Sequence, residues 1–150
     1  MYGAIIVAYK TKYKPINISK YIGNPKNIIC RSLWERRVCR YLDENSNVLK
    51  WGSEELIIPY FSPIDRKMHR YYPDFIVEKV SKKGSVETLV IEVKPKRQTI
   101  KPEKKKKKEK TFLKECITFS INEAKWKAAE KLCRENEWQF IILTEDDILT

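Results

Sequence analysis

Residues 88–94 read Thr-Leu-Val-Ile-Glu-Val-Lys, a β-rich apolar run broken by two charges and stopped by Pro95. The run predicts a strand, because β-branched side chains fit a pleated surface and proline cannot extend the ladder. Leu89, Val90, Ile91 and Val93 leave neither face polar, which is the pattern of a strand covered on both sides. A chain containing such a strand needs a layer above the sheet and another below it. Successive side chains alternate, so Glu92 and Lys94 project to one face while Val93 points to the other. A surface ion pair would explain two charges on a solvated face. In a strand covered on both sides, a functional site is the better reading.

A second acidic residue stands upstream in Tyr71-Tyr72-Pro73-Asp74-Phe75-Ile76-Val77, predicted as a strand whose turn is Lys82-Lys83-Gly84-Ser85. Two adjacent strands would bring Asp74 close to Glu92. Such a pair suits Mg²⁺, a hard cation commonly held by one or two carboxylates with waters and substrate phosphates.

The remaining elements follow from capping signals and periodicity. Ser32-Leu33-Trp34-Glu35 has the form of a helix start, and Trp34, Val38, Tyr41 and Leu42 fall on one face of a helix that stops near Asn45. Glu55-Leu56-Ile57-Ile58-Pro59-Tyr60 predicts a strand, and residues 61–70 a polar, turn-rich loop. After the lysine-rich stretch, residues 111–119 are expected to be helical. Ser120-Ile121-Asn122-Glu123 looks like a further helix start, opening a helix to about Asn136 that presents Ala124, Ala128, Leu132 and Cys133. Trp126 on it is most simply core. Residues 138–143 predict the last strand. The order is helix, strand, strand, strand, helix, strand, which points to an α/β sandwich around a mixed sheet. Ahead of it, Tyr13, Ile16, Ile18, Tyr21 and Ile22 are expected to pack an irregular arm onto the core.

Composition narrows the function classes. With 150 residues, 42% hydrophobic and 11% aromatic, the chain can bury a single core and is not a disordered polyelectrolyte. No apolar run approaches the ~20 residues of a membrane span. The apolar stretch at residues 2–9 lacks a basic leader and makes a poor secretory signal. Cys30, Cys39, Cys116 and Cys133 show no paired spacing, so buried free thiols in a reducing, intracellular setting are expected rather than zinc ligands. The net charge of +11 favours a polyanionic partner. Residues 101–110 alone hold seven lysines and two glutamates, so nearly half of that charge sits in one loop. Those lysines, Lys104, Lys105 and Lys106 among them, read equally as a solvated tether or as phosphate contacts. His69 is the single histidine, in a polar, basic context where it faces DNA or plain solvent. Its isolation argues against HNH nucleases and HUH nickases, whose chemistry needs more than one.

Pro73-Asp74 followed by Glu92-Val93-Lys94 resembles the PD-(D/E)XK nuclease motif, and the element order resembles that superfamily's restriction-endonuclease-like core. Longer features occur in register with it: Arg31 to Glu35, Trp51-Gly52-Ser53-Glu54-Glu55 leading to Ile58-Pro59-Tyr60, and the run from Arg70 to Phe75. Ile91 to Lys96, Lys125 to Ala129 and Ile142 to Glu145 continue the series. Together, from about Lys14 to Asp147, they are similar to the head-completion nuclease family of T-even-type phages, itself similar to the TnsA-type transposase endonucleases. The resemblance departs before Lys12 and in the lysine-dense loop, away from the motif.

The resemblance implies an N-terminal arm over residues 1–30 and a nuclease domain over 31–147, with 101–110 as a loop. It implies a Mg²⁺-dependent DNA endonuclease (Mn²⁺ substituting) with no organic cofactor, leaving 5′-phosphate and 3′-hydroxyl ends. Asp74, Glu92, Glu35 and the Val93 carbonyl would hold the metal, and Lys94 would serve the attacking water or the transition-state charge. His69, Arg70, Lys96, Lys104, Lys105 and Lys106 are candidate DNA contacts. Phage head or portal proteins are implied partners, and the host cytoplasm or the virion the setting. The competing readings are a structural virion or DNA-binding protein on a nuclease fold, and a transposase or repair endonuclease subunit.

Overall fold

A computed structural model describes residues 10–149. The apolar stretch at 2–9 lies outside them. Two short strands, β1 (Thr11–Lys12) and β2 (Ile29–Cys30), pair antiparallel ahead of helix α1 (Leu33–Glu44). Strands β3 (Val48–Ser53), β4 (Ile58–Phe61), β5 (Met68–Tyr71), β6 (Phe75–Val80) and β7 (Val86–Val93) follow. Helix α2 (Glu109–Glu135), strand β8 (Gln139–Leu143) and the short helix α3 (Glu145–Ile148) complete the chain.

The main sheet has the order β3-β6-β7-β8. β3, β6 and β7 run antiparallel, and β8 lies parallel to β7. A parallel neighbour requires a crossover, and α2 supplies it. Leu89, Ile91 and Val93 turn to the α1 side, into a cluster with Val38, Leu42, Trp51, Phe75 and Val77. On the opposite face Phe140 and Ile142 pack with Trp126 and Ala129 of α2 and with the β4–β5 hairpin. The mixed α/β sandwich and the order αβββαβ are therefore present, with layers on both sides of β7. Among the described residues no helix is long and apolar enough to cross a membrane.

Several local expectations are corrected. The first strand of the sheet is β3, while β4 pairs only with β5. A bulge between Val48 and Lys50 breaks the side-chain alternation that would have revealed β3. Residues 68–70, expected in a loop, form β5 together with Tyr71. The strand expected over 71–77 is split, with Tyr72, Pro73 and Asp74 forming the break, since Pro73 has no N–H for a ladder. Ser120 does not open a helix. α2 is continuous because residues 109–135 contain neither glycine nor proline. Tyr41 is exposed rather than facing the core, as are Ile16 and Ile18 of the arm.

The turn at Gly84 forms as expected, its φ of 84° lying where glycine is favoured. Cys30, Cys39 and Cys133 are buried free thiols, and Cys116 is half-buried.

The arm is held by a fully buried carboxylate. Asp43 accepts from the Tyr13 hydroxyl at 2.8 Å and from the backbone N–H groups of Ile16 and Asn17 at 2.7 and 3.0 Å. Lys20 Nζ donates to the carbonyls of Asp43 and Asn45, covering the C-terminal end of α1. Asp43→Ala leaves three donors without their acceptor, the buried Tyr13 hydroxyl among them. The expected loss is on the order of 3 kcal/mol, read as a lower urea midpoint.

Candidate active site

Four carboxylates meet where α1 begins, β3 ends, β6 begins and β7 ends. Glu35 comes from the first turn of α1, whose N-cap Ser32 accepts the Glu35 N–H at 3.1 Å. Its own side chain reaches back to the Arg31 N–H at 3.0 Å, one residue before the cap. Glu35 thus helps to close the helix start and still turns its carboxylate toward the sheet end. Glu54 follows β3 directly with φ of 56°, a left-handed conformation that costs a non-glycine residue on the order of 1 kcal/mol or more. Two contacts hold it there: its N–H donates to the Asp74 carbonyl at 3.1 Å, and Arg31 grips its carboxylate at 2.9 and 3.1 Å.

Asp74 occupies the break before β6, and its Oδ2 accepts the Val93 N–H at 2.7 Å. One oxygen each of Glu35, Glu54 and Asp74 lies within 4.8 Å of the others, close enough to share one metal ion. Glu92 stands beside this trio, and its oxygens are engaged elsewhere. The buried Tyr71 hydroxyl donates to Oε1 at 2.6 Å, and Lys94 Nζ lies 3.4 Å from Oε2.

Negative charge is concentrated here beyond what the nearby cations offset. Burial pushes the Asp74 carboxyl well above its usual range, and the charges of Glu92 and Glu35 push it further. The Val93 N–H and Lys94 oppose that rise without cancelling it. Burial also raises Glu35, reinforced by Glu54 and Glu92 and countered by the Arg31 backbone donor. Tyr71 is raised by burial and by Glu92, which keeps its proton on the phenol and the phenol a donor. A cluster whose carboxylates resist ionising together suits a divalent cation, whose charge would neutralise it.

The residues singled out in the sequence do not all converge. Glu35, Asp74, Glu92 and Lys94 gather at this sheet end, and Val93 touches Asp74 through its backbone. His69 and Arg70 are exposed on β5, His69 bonded to Asp65 at 2.6 Å and stacked on Tyr60. Lys96 pairs with Asp146 at 2.9 Å, Lys104 with Glu109 at 3.6 Å and Lys105 with Glu103 at 3.8 Å. Lys106 is exposed. Sequence reasoning gives no role to Glu54 or Tyr71. An acidic residue just past a strand end and a tyrosine just before Pro73-Asp74 are the signals that point to them.

Residues 45–145 match the family model described as "TnsA-like endonuclease N terminal". That segment includes Glu54, Asp74, Glu92 and Lys94 and begins after Glu35. The chain is 41% identical over 146 residues, 95% of each chain, to the head completion nuclease of Enterobacteria phage T4.

Proposed function

The chain belongs to the TnsA-like endonuclease family, and on that premise we propose that it is a Mg²⁺-dependent DNA endonuclease acting in phage head completion. The observation that carries the reading is the trio Glu35, Glu54 and Asp74, with Glu92 and Lys94 on the adjoining strand end. Glu35, Glu54 and Asp74 would hold the cation, with Glu92 adding to the negative field around it. The Val93 carbonyl would serve as a further oxygen, since the N–H and C=O of one strand residue turn to the same edge. Hard oxygen donors of this kind suit Mg²⁺, with Mn²⁺ able to replace it. When bound, the cation polarises the scissile phosphate and offsets the charge that builds on it.

The protein's own groups do the rest. Tyr71 fixes the Glu92 carboxylate, leaving Oε2 to hold Lys94. Lys94 then carries its ammonium to the edge of the cluster, where it neutralises charge on the phosphate and orients the attacking water. Arg31 keeps Glu54 turned inward in its left-handed conformation. Head or portal proteins of the phage are the proposed assembly partners.

The direct test is supercoiled plasmid with purified protein in low salt, with Mg²⁺ or with EDTA. Nicking or linearisation that requires the metal is the expected result. Intact plasmid under both conditions, with the DNA still shifted on a gel, would favour a DNA-binding structural protein on the same fold. The role of Glu54 has its own test. Glu54→Gln is expected to weaken Mn²⁺ binding by at least about tenfold in a calorimetric titration, the scale on which metal sites respond to the loss of a supporting group.

A further inference from the structure

Beyond Lys94 the chain runs through Pro95 into a short 3-10 helix, Lys96–Thr99, and then along the start of α2. Between this stretch and α2 lies a concavity of about 770 Å³. Pockets for one small ligand span about 300–1,000 Å³, so this one has room for a short piece of a single strand.

Five cations line it: Arg97, Lys101, Lys105, Lys107 and Lys114. Glu103 and Glu115 offset Lys105 and Lys107. Arg97, Lys101 and Lys114 have no carboxylate partner among the described residues. Asn122 of α2 also lines the concavity. It is only 8% exposed, and its side chain makes no hydrogen bond among the described residues. An amide with no partner in the protein and its polar atoms open to solvent, bordering a basic groove, is a ready donor and acceptor for a ligand. Phe119 and the exposed Ile100 add apolar surface between the cations. Cations that follow a backbone, interleaved with apolar surface for bases, are what single-stranded nucleic acid recognises. Arg97 lies three residues beyond Lys94, so the Arg97 end of the groove is within a chain span of at most about 11 Å of Lys94.

We propose that this groove holds a single DNA strand next to the cleaved phosphate, with Arg97, Lys101 and Lys114 on its phosphates and Asn122 on a base or sugar edge. The proposal rests on the endonuclease reading and adds to it a substrate with a single-stranded flank or frayed end.

The test is fluorescence anisotropy in EDTA, where no cleavage occurs, using a fluorescein-labelled oligonucleotide as a single strand and as a blunt duplex. The groove variant is Lys101→Glu with Lys114→Glu. Lys82→Glu with Lys83→Glu, in the turn at the far end of the β6–β7 hairpin, makes the same change in net charge. The groove variant is expected to bind the single strand at least about tenfold more weakly, with a salt slope shallower by about 0.7 for each phosphate it no longer neutralises. Its binding to the duplex is expected to change less. The turn variant is expected to bind like the unaltered protein. Asn122→Ala is expected to weaken single-strand binding severalfold with the salt slope unchanged, its melting temperature serving as the check on folding. Three results would overturn the proposal: equal weakening by the two charge reversals, an equal loss on strand and duplex, or single-strand binding that neither the groove variant nor Asn122→Ala alters. Because binding is read without metal, a failure here leaves plasmid cleavage as a separate result, and a failure of cleavage leaves the groove result standing.

Discussion

Asp74→Asn is expected to abolish metal-dependent plasmid cleavage, by at least about a hundredfold, the scale of losing one principal stabiliser of transition-state charge. The same variant is expected to melt higher than the unaltered protein when both are in EDTA. The two effects have one cause. Asp74 sits among Glu35, Glu54 and Glu92, and burial with the charges of Glu92 and Glu35 holds its carboxyl well above the ordinary value of 3.8. A carboxyl whose folded value is raised binds its proton more tightly in the folded state than in the unfolded one. Metal-free stability is therefore greatest below the ordinary carboxylate range and falls as pH rises through the folded value. Asparagine has no charge to bury and keeps an oxygen for the Val93 N–H. The variant should gain on the order of 1 kcal/mol at neutral pH, a few degrees in melting temperature, and lose part of the pH dependence. Thermal melts in EDTA from about pH 5 to 8 check this, spanning the side on which the raised carboxyl ionises. A variant that melts lower throughout would show that Asp74 is a structural carboxylate.

Lys94→Ala should separate catalysis from metal binding. Cleavage is expected to fall by about 10²–10³-fold, because the ammonium acts on charge that develops at the phosphate. Mn²⁺ affinity is expected to hold or rise, since Lys94 lowers the Asp74 carboxyl and its removal leaves the cluster more negative. A calorimetric titration beside single-turnover cleavage reads both quantities. Loss of metal binding in step with cleavage would mean that Lys94 only holds the site together through Glu92, from which it lies 3.4 Å.

Much of this is legible in the chain itself. Apolar residues on both faces of 88–94 dictate a strand between two layers, and alternation puts Glu92 and Lys94 on one face of it. Ser32 announces the start of α1, and Gly84 the turn between β6 and β7. These features depend on neighbours a few residues apart, where sterics and hydrogen bonding are local. β3 is hidden by its bulge, and α2 reads as two helices because a serine spaced from a glutamate looks the same inside a helix as at its start.

Only the tertiary structure brings Glu54 to the cluster, since that depends on Arg31 and on the carbonyl of Asp74, which lie far from it in sequence. It likewise decides that Tyr71 serves Glu92, that Lys96 is taken by Asp146, and that Asn122 borders a groove. The physical reason is common to all four. Periodicity and capping fix which face of an element a side chain occupies, whereas the partner it meets is set by how the sheet, α1 and α2 pack against one another.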